Sequence, residues 1–270
     1  MAVALRSPAA RLAGWSAYLA VAGTVLVFRI GVPVWRTVRH RLVVDRVQPE
    51  APGLVSVYLC GRRLDRLPAR AGQFFVWRFL DGEGALRGNP FSLSGPPRRE
   101  GLRITVKKVG DGSARVAALR PGTRVLIEGP YGRMTAATYT GGPVTMLGCG
   151  VGVTPLLALL WDLPYGHGKA TLVYRTRHAH DVAFLGELRW LARNRGSAWC
   201  CWSARAPRRT PGFRPSTPTT PMPRPCANAP DIADHDVYVC GPDAWTAAVL
   251  RSARGAGVAP GRLHRERFAW

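Results

Sequence analysis

Five short runs of this sequence bring together residue types that can do chemistry. The first is Asn89-Pro90-Phe91-Ser92. An aromatic side chain next to a hydroxyl can cover a flat ring and hydrogen-bond its polar edge. The second is Lys107 followed by Gly110-Asp111-Gly112-Ser113. A cation, a flexible turn and a helix start together suit a pyrophosphate. Taken singly, each of these two also reads as ordinary structure: a plain strand, and a helix with its cap.

The third run is Gly148-Cys149-Gly150-Val151-Gly152-Val153-Thr154-Pro155, preceded by the apolar Val144-Thr145-Met146-Leu147. Strand, glycine turn and helix start form a phosphate cradle, because glycines let the backbone approach and the helix end favours negative charge. The fourth is Arg175-Thr176-Arg177, after the apolar residues 170–174. Two guanidinium groups at a strand's carboxyl end can grip a ribose 2′-phosphate, and no Asp or Glu follows at once to take a free 2′-hydroxyl. This favours NADPH over NADH; the alternative is a pair of solvated arginines. The fifth is Cys240-Gly241-Pro242, where the strand-like Asp236-Val237-Tyr238-Val239 runs into a turn. Cys240 alone also reads as a plain buried cysteine.

These runs need elements to hold them. Residues 42–44, 54–59, 73–79, 91–94, 102–107 and 124–128 read as short strands separated by Gly/Pro breaks, the pattern of a small antiparallel barrel. Ser113 is the expected N-cap of one short helix over residues 114–119. From residue 141 the pattern becomes strand, turn and helix, as in an open α/β sheet.

The chain has 270 residues, with 38 Lys+Arg against 16 Asp+Glu, a net charge of +22. The cations are scattered and not interleaved with aromatics, which argues against nucleic acid as a partner. Six cysteines show no metal-ligand spacing, and a reducing compartment fits them. Residues 12–28 carry no charge and would extend about 26 Å as a helix, close to the hydrocarbon thickness. With Arg29 snorkelling, the span runs over residues 12–35, flanked by Trp15, Tyr18 and Trp35. Arg29, Arg36, Arg39 and Arg41 follow it, which places the rest in the cytoplasm. A signal peptide and a buried soluble helix are the alternatives.

Taken in order, residues 89–94, 102–113, 121–122 and 129–132 resemble the FAD-binding barrel of the ferredoxin-reductase superfamily. The resemblance extends through Thr154-Pro155 and Cys240-Gly241-Pro242 to the terminal Glu266-Arg267-Phe268-Ala269-Trp270. It looks nearest to bacterial ferric-reductase-like transmembrane flavoproteins, akin to NADPH oxidases. The fold implied is β + α/β: a membrane anchor over 1–39, an antiparallel Greek-key FAD-binding barrel over 40–140, and a parallel-sheet NAD(P)-binding domain over 141–270. By this resemblance Phe91 lies against the isoalloxazine ring and the Ser92 hydroxyl bonds flavin N5. Pro90, Ile104, Thr105, Val106, Lys107, Gly112 and Ser113 contact the rest of FAD. Asn89 departs from the Arg or His usual there, and Arg87 is the candidate substitute. Gly148, Gly150, Gly152, Val153, Thr154 and Pro155 take the nicotinamide nucleotide together with Arg175 and Arg177. Cys240 lies by the nicotinamide carbon that gives up hydride, with Gly241 and Pro242 shaping its turn. Phe268, or else Trp270, guards the flavin.

The implied activity is hydride transfer from NAD(P)H to FAD, with electrons passing on to an unidentified acceptor. Ser92, Phe91 and Cys240 are the expected reaction centre. The expected partners are the cell membrane, crossed once, and a further membrane or haem subunit or a small acceptor. The chain corresponds to the last helix and cytoplasmic part of such a protein, and its apolar segment has no histidine to hold haem. A degraded, non-catalytic relative is the rival reading.

Residues 198–229 break the pattern. They hold Pro207, Pro211, Pro215, Pro218, Pro221, Pro223 and Pro225, five arginines and no acid. Prolines so spaced exclude the strand and helix expected there. A Pro-rich loop is one explanation; two compensating reading-frame changes are another, a hypothesis that fails if no other frame of the gene encodes a strand and helix.

Overall fold

The computed structural model describes residues 8–82, 87–203 and 231–266. Its first folded unit is built from β1 (Val43–Ala51), β2 (Leu54–Cys60), β3 (Phe74–Phe79), β4 (Asn89–Ser92), β5 (Leu102–Lys107) and β6 (Val125–Tyr131). One antiparallel sheet has the order β1-β2-β5 and the other β4-β3-β6. Two single bridges, Leu93 to Ile104 and Val43 to Arg124, join them edge to edge. The circular order β1-β2-β5-β4-β3-β6 is the expected Greek-key barrel. It closes around alternate side chains: in β3, Phe75, Trp77 and Phe79 are buried while Phe74, Val76 and Arg78 are not. Burying each such side chain contributes about 1.5–3 kcal/mol.

The second unit is a parallel sheet in the order β11-β10-β7-β8-β9. Its strands are β7 (Val144–Cys149), β8 (Ala170–Thr176), β9 (Ala198–Ser203), β10 (Asp236–Cys240) and β11 (Leu263–Glu266). The buried run of β7 and β10 reflects a sheet covered on both faces. One cluster packs β7 and β8 against the helix Val153–Asp162; another packs Val237 and Val239 against Leu250 and Ala253 of the helix Asp243–Gly255.

Two expectations need correcting. Ser113 is not the N-cap of the barrel's short helix, which runs Asp111–Ala117; Gly110 is, in an extended conformation. Ser113 instead reaches back from the first turn, its hydroxyl accepting from the Val109 and Gly110 amides at 2.8 and 3.1 Å. A strand also forms where prolines were expected to forbid one: β9 pairs in register with β8 from Thr171–Ala198 to Thr176–Ser203. The reason is local, since the first proline, Pro207, lies beyond its end. Most of the Pro/Arg-rich stretch, with the frame-shift hypothesis attached to it, lies outside the described residues.

Numbered in chain order, the α-helices among the described residues are α1 (Pro8–Leu26), α2 (Val32–His40), α3 (Asp111–Ala117), α4 (Val153–Asp162), α5 (Leu185–Arg195) and α6 (Asp243–Gly255). A π-helical turn, Val27–Gly31, joins α1 to α2 without leaving the right-handed helical region. The segment Gly14–His40 is long and apolar enough to cross a membrane. Its final part, α2, packs on β6.

Candidate functional site

Ser92 ends β4 and is 3% exposed, yet its hydroxyl has no hydrogen-bond partner among the described residues. Such a group costs about 1–3 kcal/mol unless something satisfies it. The hydroxyl is therefore free to bond a polar atom supplied from outside the described residues. Phe91 beside it packs into the barrel core with 8% of its surface open, so it offers a ligand only the margin of its ring. Its carbonyl is held by the Trp77 indole N–H at 2.9 Å, which fixes the strand. Pro90 is exposed on the same strand.

Strand β5 contributes less side-chain surface than expected. Ile104 and Val106 belong to the barrel core. Thr105 is engaged inside the protein, donating to Ser94 Oγ at 2.8 Å and lying 2.8 Å from Ser56 Oγ. Only their backbone and the exposed Lys107 remain for a ligand. The Asn89 amide donates to the carbonyls of Trp77 and Arg87 at 3.3 and 3.0 Å, so it anchors the loop that carries Arg87. A Cβ added at Gly112 would meet the Arg87 guanidinium carbon at 3.5 Å. Arg87 therefore stands over the first turn of α3, in a small recess it shares with Asn89 and Gly112. Since α3 has only two turns and begins with Asp111, its dipole offers an anion little, and Arg87 is the cation standing over that turn.

In the α/β unit, the strand order reverses between β7 and β10, and ligands of open sheets bind beyond the carboxyl ends at such a point. Both glycine motifs lie there. Gly150 has φ +58, and the turn Gly150–Gly152 delivers the chain into α4. Thr154 Oγ1 donates to the Val151 carbonyl at 2.9 Å and, with Val153 and Pro155, is buried. Gly152 has no room for a side chain: a Cβ would come within 2.2 Å of the Cys240 carbonyl oxygen. Gly148 backs the start of α4 in the same way. Gly241 packs against Cys149, and Pro242 is the N-cap of α6. Cys240 is fully buried; burial, and then the Glu266 charge, push its thiol well up. Burial also raises the Cys149 thiol, against the charges of Arg175 and Lys107. Those cations, one from each unit, thus act on one point beside the glycine loop. The Arg175 guanidinium carbon sits 4.9 Å from the Trp202 ring centroid, while Arg177 is exposed.

Among the described residues, two contacts between the units bear most directly on the site. Glu266, the parallel partner of Cys240, puts its carboxylate against the barrel: a Cβ at Gly132 (φ +94) would meet Oε2 at 2.9 Å and Phe74 at 3.4 Å. Phe74 is in turn the cross-strand partner of Ser92. Burial raises the Glu266 pKa, partly offset by the backbone N–H groups of Arg133 and Met134. The second contact is Arg103, which donates to Ser94 Oγ at 3.2 Å and pairs with Glu187 of α5, its Nη2 lying 3.1 Å from Oε2. The Trp161 indole donates to the same carboxylate at 2.9 Å.

The roles of four of these residues lie beyond the sequence reading. Arg103 and Glu187 stand 84 positions apart with no motif between them. Glu266 was seen only as part of a terminal resemblance. Trp202 could have been found, because an aromatic at a strand's carboxyl end beside Arg175 is a nucleotide-facing position. Phe268 and Trp270 lie outside the described residues.

Residues 146–250 match the oxidoreductase NAD-binding domain family. A flavohemoprotein of Chromobacterium violaceum is 29% identical over 254 residues, covering 87% of this chain and 60% of that protein. The ferredoxin reductase component of a 3-ketosteroid-9-alpha-monooxygenase from Mycolicibacterium smegmatis is 27% identical over 76% of this chain and 57% of its own length. The chain thus spans about 60% of the curated relatives it matches. Among solved structures, the Amycolatopsis cytochrome P450 reductase GcoB superposes with TM-score 0.68 at 24% identity, over 85% of this chain and 69% of that one. A ferredoxin NADP+ reductase from Neisseria gonorrhoeae with bound FAD and NADP gives 0.65 at 18% identity, over 84% and 98%. These named relatives are a flavohemoprotein and the reductases of a monooxygenase, a cytochrome P450 and a ferredoxin, not the ferric-reductase-like membrane flavoproteins that the sequence resemblance puts nearest.

Proposed function

We propose that the chain is a membrane-anchored oxidoreductase of the ferredoxin-reductase-like FAD/NAD-binding type, taking hydride from NAD(P)H and passing electrons to a partner. FAD, when bound, supplies the means to accept a hydride and release electrons singly. The observation that carries this reading is the run of contacts from the orphaned Ser92 hydroxyl, through Phe74 and Gly132, to Glu266 and the Cys240 turn. It brings the flavin strand and the nicotinamide loop to one seam between the two units.

The chain's residues then have distinct tasks. Ser92 holds a polar ring edge, and Phe91 limits how deep the ring can sit. Arg87 and Lys107 neutralise the pyrophosphate, with backbone from residues 104–106 and Gly112 alongside. Gly148, Gly150 and Gly152 let the backbone close on the second nucleotide. Arg175, backed by Trp202, takes the 2′-phosphate, so NADPH is the preferred donor. Cys240, protonated and packed against the Glu266 carbonyl side, fills the space beside the nicotinamide and keeps water out.

Membrane anchoring rests on the apolar segment Gly14–His40. The docking of α2 on β6 supports reading that segment as an anchor over reading it as a leader that is cut away. The cofactor units lie on the cytoplasmic side, and the partner is an oxygenase-type or haem protein or a small acceptor. The purified chain should be yellow, or become so with FAD, and oxidise NADPH with ferricyanide as acceptor. A colourless protein that cannot be reconstituted overturns the proposal.

A further inference from the structure

The outward face of α2 is unused by the reaction. Its inward side, Val32, Pro33, Arg36, Thr37 and the buried His40, is shielded at helical spacing. Val34, Trp35 and Val38 face away and are 56%, 57% and 63% exposed. The Arg39 guanidinium lies 4.9 Å from the Trp35 ring centroid. No Asp or Glu precedes Asp45, whereas Arg29, Arg36, Arg39 and Arg41 cluster here.

The helix is also fastened. Arg29 Nη1 bonds Glu128 Oε1 of β6 at 2.7 Å, and Arg78 and Tyr131 converge on the same carboxylate at 3.2 and 2.8 Å. A hydrocarbon core takes about 20 helical residues, so a span beginning at Leu12 ends near Gly31. Val34 and Trp35 then fall about 5 Å further on, at headgroup depth. An aromatic flanked by cations, with no acid nearby, suits an anionic bilayer surface.

We propose that the Val34-Trp35-Val38 face of α2, with Arg39, rests in the headgroup layer of an anionic bilayer, and that the Arg29–Glu128 pair straps the barrel flush against that surface instead of leaving it on a free tether. This rests on the reading of α1 as a membrane span. The occupant is lipid and not a second copy of the chain, because a second copy would oppose like arginines.

Photocrosslinking of the full chain tests it, with benzoylphenylalanine placed at Val21, Val34 or Val38, in phosphatidylcholine vesicles with and without phosphatidylglycerol. Lipid adducts are expected at all three positions, those at 34 and 38 stronger with the anionic lipid and about fivefold weaker in an Arg39→Gln background. Glu128→Gln should lower the adducts at 34 and 38 and spare those at 21. Adducts at 21 alone, or adducts at 34 and 38 to another copy of the chain, overturn the proposal and leave the span standing. Loss of lipid adducts at 21 as well brings down the span itself. In each case NADPH oxidation reports separately on the reductase reading.

Discussion

At the scale of single residues, the unpaired Ser92 hydroxyl is the most informative atom in the barrel. It is buried, unsatisfied among the described residues, and one strand away from the seam with the nucleotide unit. A neutral hydrogen bond contributes about 1 kcal/mol net, so Ser92→Ala should weaken FAD binding about fivefold. Fluorescence titration of the apoprotein with FAD measures this; an unchanged dissociation constant would mean that the hydroxyl meets no ligand. Gly152 is the counterpart in the α/β unit. An added methyl would collide with the Cys240 carbonyl, a backbone atom that has nowhere to go. Gly152→Ala should therefore raise KM for NADPH about tenfold or more while FAD stays bound, since only the two nucleotide loops are pushed apart. Loss of flavin together with turnover would point to a collapsed fold instead.

At the scale of elements, the proposed preference for NADPH rests on β8 and β9 together. Their register places Trp202 opposite Arg175, and the ring backs the guanidinium. A charge-assisted bond to phosphate contributes about 1.5–3 kcal/mol, so Arg175→Ala should raise KM for NADPH about tenfold or more and leave NADH unchanged. Equal losses with both donors would remove the 2′-phosphate assignment. The glycine loop, its helix and the Cys-Gly-Pro turn were readable beforehand because each is a local device whose residues are contiguous. Strand β9 is hidden by the proline content of 198–229 taken as a whole, although the six residues that form it contain none. Likewise Ser113 was given the cap because it is the better capping residue, while Gly110 took that place through the turn preceding the helix.

At the scale of the whole molecule, the acid side of the stability curve should report the strap between helix and barrel. Burial opposes the charge on Glu128, but hydrogen bonds from Tyr131 and Arg78 and the nearby Arg29 outweigh it and hold the carboxyl below its ordinary 4.5. A carboxylate depressed in the folded state contributes stability above its unfolded pKa and loses it as pH falls through the folded one. The contribution is modest because the Arg29 side chain is largely exposed. Melting of the full chain in detergent should thus decline below about pH 4.5, and Glu128→Gln should flatten that decline. An identical acid slope in the variant would show that the pair does not hold the helix.

The amino-acid sequence by itself determined the order of parts: an apolar helix, alternating strands that close as a barrel, and a glycine-looped α/β unit. Apolar periodicity and contiguous turn residues act over a few positions, and a linear reading captures them. What brought these parts together only the tertiary structure decided. The Arg103–Glu187 clamp, the Glu266–Gly132 contact and the Arg29–Glu128 strap each join residues far apart in the chain, and their geometry exists only once the elements that carry them have folded. The same holds for Phe91. Its type and place suggested an open ring, and packing across the barrel turned most of that ring inward.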